Sequence, residues 1–76
     1  MNIKVIGAGC DKCDKLYANV LEAVRNTGVE AEVEKVEDLI SMVRLGVMTT
    51  PTLMVDGKVV CAGKVAKADE IIKWIK

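Results

Sequence analysis

The chain has 76 residues, 51% of them hydrophobic, with eleven basic and eleven acidic side chains, one Tyr, one Trp, no Phe and no His. A domain of about 60 residues buries only about 60% of its unfolded surface, so a chain this short depends on a dense aliphatic core. Zero net charge without a basic tract argues against nucleic acid or an anionic membrane surface as partner, the apolar runs fall far short of the roughly 20 residues of a membrane span, and the lack of His removes many metal and general-base mechanisms.

"NIKVI" at the N-terminus alternates Ile3 and Val5 with Lys4 and Ile6. With Ile6 apolar as well, the run fits a central strand buried on both faces. Gly7 and Gly9 break it. From Cys13 the apolar positions fall at Leu16, Tyr17, Val20, Leu21 and Val24, the spacing of a helical stripe. Gly28 after "NT" is free to take the left-handed conformation that closes a helix.

"EAEVEKV" sets Glu30, Glu32 and Glu34 against Ala31 and Val33, an edge strand with one solvated, charged side that discourages edge pairing. A second helix follows over "EDLISMVRLG", with Asp38 as cap and Gly46 as stop. Thr52 to Val55 reads as a strand, Asp56-Gly57 as a tight turn and Lys58 to Ala62 as the antiparallel partner. "KADEIIKWIK" places Ala68, Ile71, Ile72 and Ile75 on one helical face, with Trp74 off that stripe at the surface. The expected fold is α/β, β-α-β-α-β-β-α in one domain over residues 1–76. The first two strands are joined by a right-handed crossover, and the mixed four-stranded sheet has order 2-1-3-4 with helices on both faces.

Within this frame "GAGCDKC" places Cys10 at the mouth of the first helix and Cys13 one turn in, on the buried stripe. A CxxC pair admits several uses: half of a metal site, a soft-metal carrier, a redox dithiol, or ordinary core thiols. The helix N-terminus, with about half a positive charge and unpaired N–H groups, favours a thiolate at Cys10, while Cys13 is shielded. The three-residue offset keeps the sulfurs within disulfide reach. A thiol shifted from about 8.5 to about 7 gains roughly 15-fold in thiolate at pH 7. The lower basicity returns roughly 5-fold of that, leaving about 3-fold in attack. Lys12 supports the thiolate and Asp11 opposes it. Such a pair suits cycling between dithiol and disulfide.

"GCDKC" after the first strand, with "TTPTLMVDGKVVCAG" leading into a last helix, resembles the thioredoxin superfamily over essentially the whole chain. The likeness is greatest to the small glutaredoxin-sized, redox-active disulfide proteins of archaea and anaerobic bacteria. It implies a thiol–disulfide oxidoreductase, an electron carrier acting on protein disulfides. Cys10 would be the attacking cysteine, Cys13 the resolving one, and the Cys10–Cys13 disulfide the redox group, with no further cofactor and no metal. The resemblance also implies a cis bond before Pro51, leaving the backbone of Thr50 to pair with an extended substrate segment, with Met48 and Thr49 flanking it. Met48, Leu53 and Met54 are read first as core or turn packing, although Met48 can do both. Partners would be a thioredoxin-reductase-like electron donor and disulfide-containing client proteins. No glutathione-site signature stands out.

Departures from the family pattern are specific. Gly9 stands where well-known members carry an aromatic residue, Asp11-Lys12 fills the CxxC interior, and Lys4 is the only ionisable residue offered by the strand before the loop, so no carboxylate stands ready to take the Cys13 proton. Cys61, in strand phase with Val59, is read as a buried bystander that stays reduced. Two other classes compete. A Cu(I)-type chaperone also places CxxC between strand and helix, but normally runs βαββαβ without Thr-Pro. A structural zinc module needs four ligands, more than three cysteines without His supply. The start "MNIKVIGAGC" lacks the apolar core of a secretory signal. An odd number of cysteines argues against a secreted disulfide framework. A cytoplasmic monomer is expected.

Overall fold

A computed structural model describes residues 1–7 and 11–75. Its elements run β1 (Asn2–Ile6), α1 (Asp11–Thr27), β2 (Glu32–Val36), α2 (Leu39–Arg44), β3 (Thr52–Val55), β4 (Lys58–Ala62) and α3 (Ala68–Ile75). The four strands form one sheet in the order β2-β1-β3-β4. β1 pairs parallel with β2, Val5 opposite Lys35, and antiparallel with β3, Val5 opposite Leu53. The α/β architecture and the strand order are those read from the sequence.

Central placement explains the composition of β1. Ile3 and Val5 point to one face and Ile6 to the other, and all three are fully buried. On the first face α1 and α3 lie side by side, so Leu16, Val20, Ala23, Ile71 and Ile75 close over Ile3, Val5, Leu53 and Val55. Trp74 is half-buried at the rim of this core. The stripe of α1 is centred on Cys13, Leu16, Val20 and Ala23. Leu21, expected on that stripe, is turned out and 38% exposed. The helix meets both the sheet and α3, which shifts its buried face toward Ala23.

On the second face the cover comes from α2 and the residues that follow it, Leu45 and Val47. Asp38 caps it, its carboxylate accepting the Ser41 N–H at 2.9 Å, and Met42 packs with Ile6 and Met54. The hairpin between β3 and β4 turns through Asp56 (φ 50) and Gly57 (φ 83). Positive φ at both central positions matches the right-handed twist of the strands and explains Asp-Gly there.

One expectation about β4 fails. Leu53 pairs with Cys61, but Met54 pairs with Val59, so Val60 is an extra residue in the ladder. A bulge breaks the two-residue alternation. Cys61 remains in the α1/α3 core, 7% exposed, whereas Val59 faces out and is 55% exposed. The two do not share a face. Among the described residues no helix is long and apolar enough to cross a membrane.

Candidate functional site

The expected attacking cysteine, Cys10, lies outside the described residues, as does Gly9. The surroundings of its partner are defined. Cys13 is the third residue of α1 and 1% exposed. The end of β1 comes against it: a Cβ built on Gly7 would stand closer to Cys13 Sγ than the 3.0 Å that real Cβ atoms keep, and 3.4 Å from Thr50 Cβ. Three segments distant in sequence, the strand end at Gly7, the first turn of α1 and the Thr-Pro turn, therefore meet around Gly7, with the Cys13 sulfur directly against it. Gly7 is held there by its N–H, which donates to the Val36 carbonyl at 2.9 Å.

The Thr-Pro turn is fixed from below. The Thr50–Pro51 bond is cis, Pro51 is buried, and its carbonyl accepts the Gly63 N–H at 2.8 Å. The Thr52 hydroxyl, 2% exposed, donates to the Thr49 carbonyl across the turn, which satisfies the buried polar atom and ties the turn to the start of β3. Thr49 and Thr50 themselves are exposed. Gly63 approaches on the β4 side, where an added Cβ would meet Thr49 Cγ2 at 3.0 Å. Met48 is 97% exposed. It does not pack in the turn, because the chain leaves α2 through Gly46 and Val47 and it is Val47 that turns inward against Ile6 and Met54. Leu53 and Met54 do lie in the core.

β2 adds a cation to the charges at the start of α1. Lys35 lies in phase with Val33, on the side that receives α1, and its Nζ donates to Asp14 Oδ1 at 2.7 Å while standing 5.5 Å from the centroid of the Tyr17 ring. The hydrogen bond to Asp14 raises the Lys35 ammonium above its ordinary value against the cost of desolvation. The negative charges of Asp14 and Glu37 add to the rise. A cation is thus held next to the residue that follows Cys13. Cys61 has a separate environment: its Sγ donates to the Lys64 carbonyl at 3.6 Å.

A family model described as a thioredoxin domain matches residues 1–76. A thioredoxin of Methanothermobacter thermautotrophicus is 38% identical over 73 residues, 96% of this chain and 95% of that protein. The chain belongs to the thioredoxin family. A second thioredoxin, from Methanocaldococcus jannaschii, is 36% identical over 74 residues, covering 97% of this chain and 85% of its own length.

Gly7, Gly63 and Lys35 escaped the sequence reading as members of this site. For Gly7 the signal was limited to the glycine pair around Ala8, which reads equally as a strand breaker. Lys35 could have been found from the alternation of β2, which sets it apart from Glu32 and Glu34. Nothing local marks Gly63, because its nearness to Thr49 depends on how β4 lies beside β3.

Proposed function

We propose that this thioredoxin-family chain is a thiol–disulfide oxidoreductase that reduces or exchanges protein disulfides through Cys10 and Cys13. The observation that carries the reading is the buried Cys13 sulfur lodged against Gly7, at the place where the strand end and the Thr-Pro turn meet. Cys10, as thiolate, attacks one sulfur of a client disulfide. That S–S bond breaks, the departing client sulfur takes up a proton, and a mixed disulfide joins Cys10 to the client. Cys13 then loses its proton and attacks Cys10 Sγ, expelling the second client thiolate and closing the Cys10–Cys13 disulfide. Two electrons pass to the client, and its two thiolates take their protons from Cys13 and from solvent. A thioredoxin-reductase-like donor restores the dithiol.

Shielding of Cys13 supports the division of labour, since a buried thiol is poorly placed to meet a protein substrate but well placed to attack within the molecule. The exposed Thr49-Thr50 edge, with Met48 beside it, offers a short backbone segment on which an extended client strand can align. In this reading the protein works as a cytoplasmic monomer with the disulfide as its redox group. It uses neither nucleic acid nor membrane.

Trapping tests it. Cys13→Ser should accumulate a stable mixed disulfide through Cys10, whereas Cys10→Ser should trap little, both read by mass spectrometry after incubation with a disulfide protein. Titration of the parent in dithiothreitol buffers should show one two-electron transition at this pair. Stoichiometric Cu(I) binding without such a transition would overturn the reading in favour of a soft-metal carrier.

A further inference from the structure

We infer that Gly7 is a positioning residue for the resolving thiol: the absence of a side chain there makes the seat in which the Cys13 sulfur rests. The inference builds on the redox reading above and adds a residue to it. Gly7 is pinned from one side by its hydrogen bond to Val36, so the end of β1 has little freedom to withdraw. From the other side Cys13 is held by the first turn of α1, with its Cβ 3.5 Å from where a Gly7 Cβ would be. That is ordinary contact. Only the sulfur falls inside the forbidden distance. The backbone of Gly7 adds a second restriction, with φ at +153°, where side-chain-bearing residues rarely settle.

A methyl group at position 7 therefore has one cheap way to be accommodated. The Cys13 side chain rotates about χ1, and in a helix only about two of the three staggered positions are open to it. The sulfur then leaves its place against Gly7. Attack on Cys10 Sγ needs the three sulfurs nearly in line, and a displacement of about 1 Å can cost about 10²-fold in such a step. The first step, attack by Cys10 on the client, makes no use of the seat. Gly7 thus separates the two half-reactions.

The test uses the full chain and Gly7→Ala. Single-turnover reaction with a disulfide protein should show the mixed disulfide decaying roughly tenfold to 10²-fold more slowly than in the parent. The rate of Cys10 alkylation at limiting iodoacetamide should change by less than about 2-fold. A general loss of structure would move both rates, and a parent-like decay of the mixed disulfide would overturn the inference. Thermal unfolding of Gly7→Ala in the parent and in a Cys13→Ala background gives a second reading. If the methyl meets the sulfur, its cost falls when the sulfur is removed, even where the single variant is too unstable to assay. An equal cost in both backgrounds would overturn the inference. If the parent shows no two-electron transition, the redox reading fails, and this cycle still decides whether Gly7 and Cys13 are in steric conflict.

Discussion

The two faces of the sheet are built to different depths. One carries α1 and α3, which close a continuous core over β1, β3 and β4 with Leu16, Val20, Leu53 and Ile71 fully buried. The other carries the six-residue α2, whose Met42 meets Ile6 and Met54. Leu39, Ile40 and Val43 on the outer side of α2 are 74%, 67% and 69% exposed. Lys4, in phase with Ile6, opens onto a groove with Glu34, Asp38 and Arg44 instead of being covered. The Cys13 sulfur and its glycine seat belong to the start of α1, on the thick side, while the Thr49-Thr50 edge is reached from α2, on the thin side. The lesson is a division between a rigid support for the buried thiol and a thinly covered approach to the turn beside it.

Core truncations should separate the faces most. Ile71→Ala removes a fully buried side chain from the α3 contact and should cost about 2–5 kcal/mol, a loss large enough to unfold a chain of this size near physiological temperature. Met42→Ala, at a site 9% exposed with less packed around it, should cost about 2 kcal/mol or less, because the thin face can relax into the space. Urea unfolding of both variants compares them directly. Equal losses would mean that α2 is as firmly part of the core as α3.

A smaller effect is expected at the cap of α2, and it depends on pH. The Ser41 backbone N–H, then the Ser41 side chain, hold the Asp38 carboxyl below its ordinary value. Its folded value therefore lies under its unfolded one, so the cap contributes fully above the unfolded value and is lost as pH falls through the folded value. Acid titration followed by the Ser41 amide resonance should show α2 loosening below the ordinary carboxylate range while the α1/α3 core stays intact. Asp38→Asn, which keeps a capping oxygen, should abolish the titration without removing the helix. A Ser41 resonance that moves only with global unfolding would contradict independent behaviour of the thin face.

The smallest effect should come from the outside of α2. Leu39→Lys removes no buried contact and should change stability by no more than about 0.5 kcal/mol in either direction. Chemical denaturation measures it. A loss comparable to that of Met42→Ala would show that the exposed stripe is covered in the working protein.

By itself the sequence determined what depends on neighbours along the chain or on burial period. Alternation at Ile3, Val5 and Ile6 specified a strand covered on both faces, the 3.6-residue stripe through Cys13, Leu16 and Val20 specified α1, and Asp56-Gly57 specified the hairpin. Together they left few topologies open, and the strand order β2-β1-β3-β4 followed from short connections. Only the tertiary structure decided matters that depend on how separate elements meet. The extra residue at Val60 is set by the fit of β4 beside β3, and it sends Val59 outward while Cys61 stays buried. Shortness of the α2 contact leaves Met48 in solvent, and the seating of α1 against β2 joins Lys35 to Asp14 and Tyr17. The fit of Gly7 against Cys13 and Thr50 spans three elements. A pattern read along the chain records what each element buries, whereas a steric limit between the end of a strand and a sulfur on the next helix exists only once both are packed.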